Sequence, residues 1–274
     1  MAGGKLSPRQ KMINLMYLIF IAMLAMQMDK KVLSSFGFMK EKIEDANVAS
    51  STNIDNILSS LNTKATDQPD KFADLNTKAQ EINKLSEDLF VYMSALKDSI
   101  LSDTDEEDKT NYESMSNGDR LDELFFKGEG LTEQGEEFIG SINSYRNNLL
   151  SILGTDANPD LLRNIKKRFN TDSVPSIDEG SPKIPWIKSR YEGMPMITSL
   201  ANMTQIQGDV KNTEAEIYTN LLGGQLETEV SLTNYKGIVA LEKTAYFAGE
   251  RVEGKVGLGR YDATLVPTEG ILNG

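Results

Sequence analysis

Residues 7–31 read SPRQKMINLMYLIFIAMLAMQMDKK, and from Met12 to Met28 only Asn14, Tyr17 and Gln27 carry a polar side-chain group. At ~1.5 Å per residue these seventeen residues reach about 25 Å, just short of a ~30 Å hydrocarbon core. Ser7-Pro8 reads as an N-cap followed by proline at the first helical position, so the helix opens before the apolar run and takes in Arg9. From Arg9 to Met28 the helix is long enough to span, at about 30 Å. A buried core helix is not normally apolar around its whole circumference, as this one is from Leu15 to Met26. A cleaved signal peptide needs small residues at the −3 and −1 positions, and the candidate Ala25 has Met23 two residues before it. The segment is therefore expected to be an uncleaved, single membrane anchor. The short basic tail with Lys5, Arg9 and Lys11 is a poor candidate for export, whereas long acidic domains cross largely regardless of charge. This places the N-terminus in the cytoplasm and everything after Asp29 outside.

On that geometry Arg9 sits at the cytoplasmic edge of the hydrocarbon, where it either snorkels to headgroups or meets a carboxylate on another protein. Asn14 and Tyr17, three residues apart, make with Gln10 a polar stripe on one face of the anchor. Two readings of the stripe stand: interfacial side chains bonded locally, or a helix packed inside other helices. No Asp or Glu occurs between Met12 and Met28. A proton passing through this site needs a carboxylate supplied by another chain.

Outward from the anchor, the apolar residues Val32, Phe36, Met39, Ile43 and Ala46 recur at heptad steps, and Ile54, Ile57 and Leu61 resume the rhythm after a Ser/Thr/Asn-rich stretch. Pro69 opens a second helix with Phe72, Leu75, Ala79, Ile82, Leu89, Met93, Leu96 and Ile100 in register and Ser86 as the one polar occupant. The short connection from Thr66 to Asp70 predicts antiparallel packing. Ser102 to Gly130 reads as an acidic, Gly-punctuated, solvated connection with a short helical segment at 121–127. Its Asp103-to-Asp108 run fails the EF-hand template, having Asp108 where a Gly and Ser114 where a Glu is required. A third helix is expected from Thr132 to Leu153, a short one after Asn158-Pro159 to Phe169, and an extended stretch from Ser173 to Pro195 around Trp186. A last long helix, Met196 to Leu222, carries Leu200, Met203, Val210, Ile217 and Leu221 and is expected to stop at Gly223-Gly224. Beyond it the apolar period shortens to two, with strands at 226–232, 237–241, 244–247 and 252–258.

The fold expected is mainly α: residues 1–31 a tail and transmembrane helix, 32–224 an all-helical bundle, and 225–274 the incomplete start of a β-sandwich-like domain. The 274 residues contain no His and no Cys. The commonest general base, the imidazole metal ligand and the thiolate nucleophile are thus missing, and so is any disulfide framework. No catalytic residue, cofactor or metal site is expected. Charge is split, +4 over residues 1–31 and −16 over the rest. An acidic body argues against a nucleic-acid partner.

The opening MAGGKLSPRQKMINLMYLIFIAMLAMQMDK, the LLGGQLETEV of residues 221–230 and the GRYDATLVP of residues 259–267 together resemble the GldM family, called PorM in some bacteria. The resemblance covers essentially the whole chain, and its N-terminal segment is the most specific part. It implies the single-span subunit of an inner-membrane motor, driven by the proton-motive force, that powers type IX secretion and gliding motility. It further implies a homodimer inside a pentameric ring of GldL, a two-helix membrane protein, and a periplasmic shaft reaching outer-membrane-associated GldK and GldN. The family arginine paired with an intramembrane Glu of GldL falls on Arg9, and Tyr17 is a second candidate for that interface. Family members continue through further β domains. Motors of the flagellar-stator and TonB-energising type carry a proton-bearing Asp in the equivalent helix, which this span lacks. The competing class is a passive membrane-tethered adaptor that only spaces two membranes; it needs hydrophobicity at the anchor but no polar groups aimed at a partner.

Overall fold

A computed structural model describes residues 7–102, 104–155, 157–176, 181–230, 235–241 and 254–260. Its dominant element is α1, Pro8–Asp67, a single helix of 60 residues, about 90 Å long at 1.5 Å per residue. Ser7 caps it, accepting from the Gln10 amide at 3.3 Å, with Pro8 in the first turn. The anchor and the first bundle helix are thus one uninterrupted element. Gln68 alone separates α1 from α2, Pro69–Leu101. Hydrogen bonds between the pair run antiparallel: Asn62 meets Asn76, and Glu44, further back on α1, meets Lys97, further on along α2.

After α2 the chain passes through α3 (Asp119–Phe125), a two-residue hairpin of β1 (Phe126–Lys127) and β2 (Gly130–Leu131), and α4 (Glu133–Leu153). Then follow α5 (Pro159–Arg168), α6 (Trp186–Tyr191) and α7 (Met196–Val230). The last helix runs antiparallel to α2, with Ser94 bonded to Gln207 and Ala79 close to Tyr218, and so parallel to α1. Helices α1, α2 and α7 form the long layer, and α4 lies against α2.

The stripes expected on α2, α4 and α7 are the ones that pack. Phe72, Ala79, Ile82, Leu89, Met93, Leu96 and Ile100 are buried, as are Phe138, Ile142 and Leu149 on α4, and Leu200, Met203, Val210 and Ile217 on α7. Each large side chain removed from water contributes about 1.5–3 kcal/mol. One end of the bundle is closed by aromatic rings, Phe125 stacked on Phe138 at 4.8 Å and Tyr191 edge-on to both at 5.7 and 5.3 Å. Gly135 makes this possible, since a Cβ there would lie 2.5 Å from the Phe125 carbonyl oxygen.

Three expectations are corrected. On α1 the bundle buries Leu33, Gly37, Asn47, Ile54, Leu58 and Leu61, whereas Val32, Met39 and Ala46 of the expected stripe face outward. The inward face includes glycine and polar residues, which an apolar count skips. Second, the stretch around Trp186 is not extended throughout: Val174 and Ile184 form an isolated bridge, and α6 follows directly from Pro185 at its N-cap. Proline breaks a helix interior but suits its start. Third, α7 does not stop at Gly223-Gly224 but continues to Val230, so the strand expected at 226–232 is helical as far as that residue. Two glycines cost about 1 kcal/mol each, and the Gln, Leu and Glu residues that follow are good helix formers. Strands β3 (Tyr235–Leu241) and β4 (Gly254–Arg260) pair antiparallel, Val239 opposite Val256; the strand expected at 244–247 lies outside the described residues.

Candidate functional site

The apolar window of α1 is the one segment among the described residues long and apolar enough to cross a membrane, and none of it is buried inside the molecule. Leu15, Leu18, Ile19, Phe20 and Ile21 stand exposed on all sides of the helix. A helix serving as core would bury a face against its own chain; this one offers its whole surface to lipid or to other helices.

Arg9, Asn14 and Tyr17 all lie on this free segment and are exposed. At 3.6 residues per turn, Gln10, Asn14 and Tyr17 fall within about 60° of arc, and Arg9 stands roughly 80° round from Tyr17. The Gln10 side-chain amide donates to Asn14 Oδ1 at 3.3 Å, so the upper part of the stripe is tied together within the helix. Tyr17, just under one turn beyond Asn14, is exposed, as are Met16, Leu18 and Phe20. Gln10, Asn14 and Tyr17 thus form one stripe with Arg9 at its flank, and among the described residues no other element packs on this segment. Among the described residues no three carboxylates stand together in a way that could hold a metal ion.

Sequence reasoning missed a buried polar network between α2 and α7. Glu214 is wholly inaccessible, and its Oε1 accepts from Asn83 Nδ2 at 2.8 Å. The Tyr218 hydroxyl lies 2.8 Å from the same oxygen and 3.0 Å from the Ala79 carbonyl. Oε2 of Glu214 has no hydrogen-bond partner, and the nearest cation, Lys211 Nζ, is 3.8 Å away. Lys211 also meets Glu87 at 3.4 Å. Burial pushes the Glu214 carboxyl above its ordinary range, and the bonds from Asn83 and Tyr218 and the charge of Lys211 only partly offset this. Further along the bundle, burial opposes ionisation of Glu44, yet Lys40 and Lys97 outweigh it and hold the carboxyl below its usual range. The signal for the first network was present as gaps: Gln207 and Glu214 occupy the heptad positions that Met203, Val210 and Ile217 leave between them.

Family models match the chain over most of its length: the GldM N-terminal domain over residues 31–224 and the GldM second domain over residues 226–274. No curated protein matches it. With an N-terminal apolar helix joined directly to the helical region that the first of these models covers, the chain belongs to the GldM family and is a component of the type IX secretion and gliding-motility machinery.

Proposed function

We propose that the chain is the rotor and shaft subunit of a motor driven by the proton-motive force, working as a homodimer within a ring of GldL-like two-helix membrane proteins. The N-terminal tail lies in the cytoplasm, residues 32–224 form the periplasmic rod, and residues 225–274 open a β domain that leads towards GldK- and GldN-type proteins. One observation carries this reading: the membrane segment is unpartnered among the described residues, bears Asn14 and Tyr17 in one stripe with Arg9 flanking it, and continues without a break into the bundle.

Arg9 is permanently charged and presents a planar fork of donors, so it can hold a partner's carboxylate ionised through paired hydrogen bonds and lower its proton affinity. Protonation of that carboxylate releases the pair. Repeated around a ring, capture and release convert proton flow into rotation of the helix pair. Arg9→Ala is expected to abolish secretion and gliding while the complex with the ring protein is still recovered in mild detergent. Arg9→Lys is expected to be impaired, because a point charge lacks the fork. Normal secretion and gliding speed in Arg9→Ala would leave Arg9 as a headgroup anchor and favour the passive adaptor.

A further inference from the structure

Residues 104–118 are an acidic connection by composition, yet they lie across α1 just beyond the end of its apolar run. The ring of Tyr112 rests on the backbone of Gly37, where any Cβ would overlap ring atoms Cγ and Cδ2. One turn further along α1, Glu41 Oε1 accepts from the Tyr112 hydroxyl at 2.6 Å. The Phe38 ring meets the Tyr112 ring edge-on, centroids 6.2 Å apart, and Glu113 stands 3.8 Å from Lys30. Burial, then the Glu41 carboxylate, push the Tyr112 hydroxyl up to about 12, so it remains a donor across the physiological range.

The same strap is fixed on its other side to the bundle. Met115 is buried, and its carbonyl accepts from the Ile197 amide at the start of α7 at 3.4 Å. A few residues on, Gly118 packs so closely on the Met194 carbonyl that no side chain would fit, and the Asp122 carboxylate accepts from the Gly193 amide at 3.0 Å. A glycine inside a helix costs about 0.5–1 kcal/mol relative to alanine; at position 37 it creates the notch that the ring occupies. Gly37 is nine residues past Met28, about 13 Å along the helix.

We propose that the Tyr112 strap seated in the Gly37 notch is a torque clamp, which keys α1 to the bundle where the helix leaves the membrane. This deepens the motor reading and rests on it; Tyr112 acts as a positioning residue. A smooth aliphatic face lets a helix turn about its axis by exchanging one contact for the next, whereas a ring seated on backbone and hydrogen-bonded one turn away opposes both turning and sliding.

The test uses the full chain assembled with its membrane ring. Tyr112→Ala is expected to reduce gliding speed and secretion severalfold with unchanged complex yield, measured well below the melting temperature of the variant. Because the chain has no native cysteine, a Gly37→Cys/Tyr112→Cys protein contains only the introduced pair. A Cβ at 37 overlaps Tyr112 Cγ, one bond from Cβ of residue 112, so the two Cβ atoms start at or inside the short end of the ~3.5–4.5 Å range of a disulfide, and the strap has only to move outward slightly, once the ring is gone, for the bridge to close. Oxidation should close an intrachain bridge and restore output; reduction should return the same protein to the Tyr112→Ala level. That redox comparison needs no folded Tyr112→Ala, and a purely structural role would leave the output of the reduced pair at the parent level at temperatures well below its melting point. Failure of the pair to bridge within one chain, or full output from both Tyr112→Ala and the reduced pair while Arg9→Ala is dead, overturns the clamp and leaves the motor reading standing. Full output from Arg9→Ala overturns the motor reading itself.

Discussion

Glu214 shows how a single carboxylate can make the helical bundle sensitive to pH. Its folded-state pKa is raised above the ordinary 4.5, with burial the largest cause. Between those two values the folded chain holds a proton that the unfolded chain has released. The resulting stabilisation is therefore complete below about pH 4.5 and is lost as pH rises through the folded value. Glu87 and Lys211 face the same site, and their charges oppose each other there. Glu214→Gln keeps an acceptor for Asn83 and Tyr218 and removes the titration. It is expected to match the parent near pH 4.5 and to exceed it near pH 8, by about 1–3 kcal/mol, the usual cost of a buried polar group left unsatisfied. Thermal melts of parent and variant across that range provide the check; parallel curves would show that Glu214 stays ionised without penalty. Glu44 works in the opposite sense, since its lowered pKa gives stability that is present above the unfolded value and lost as pH falls.

At the scale of elements, α1 carries two neighbouring stripes, one covered by the bundle and one left open among the described residues. Leu33, Ile54, Leu58 and Leu61 face the bundle, while Val32, Phe38 and Met39 remain largely exposed. The heptad of Val32, Phe36, Met39, Ile43 and Ala46 was legible in the sequence, but which side of the helix the chain itself covers was not. The covered side is continued through Gly37 and Asn47, invisible to a search for apolar periodicity, and the ring that explains Gly37 comes from a segment whose composition reads as solvated loop. By contrast α2 and α4 were readable because nearly every inward position is apolar, and α7 because Leu200, Met203, Val210 and Ile217 mark its inward side even though Thr204, Gln207, Lys211 and Glu214 are buried between them. Ile54→Ala or Leu58→Ala should destabilise the bundle by roughly 2–5 kcal/mol. Val32→Ser combined with Met39→Ser should change its stability by no more than about 0.5 kcal/mol each while weakening self-association, because we assign that stripe to the second copy of the chain. Denaturant melts and sedimentation of the same proteins separate the two effects. Equal loss of stability from both pairs would mean that the outer stripe is packed within one chain.

For the whole molecule, the uninterrupted α1 is what distinguishes a drive shaft from a tether. The residues we propose for the membrane site, Arg9, Asn14 and Tyr17, stand out because charge and polarity are conspicuous in an apolar run, whereas the carboxylate proposed to meet Arg9 on another polypeptide leaves no mark in this sequence. A motor asks a mechanical contribution of this chain, and α1 has the form for it: a helix that enters the bundle without a hinge, with no glycine between Pro8 and Phe36 and no proline from Arg9 to Asp67. An α-helix passes twist along its axis through its continuous ladder of backbone hydrogen bonds, and a flexible glycine-serine segment passes almost none. Inserting Gly-Gly-Ser between Lys31 and Val32 leaves the apolar run and the bundle core unaltered. A passive adaptor needs only connection, so it should tolerate three extra residues. A shaft should lose its output, with anchor insertion, recovery with the ring protein and melting of the bundle all close to the parent. Replacing the insertion by three alanines keeps the helix continuous but turns the anchor by about 300° relative to the bundle, and should restore part of the output if stiffness, rather than angular register, is what the shaft requires. Gliding speed and secretion measured in both insertions decide the matter: full activity with Gly-Gly-Ser would mean that no torque crosses this junction.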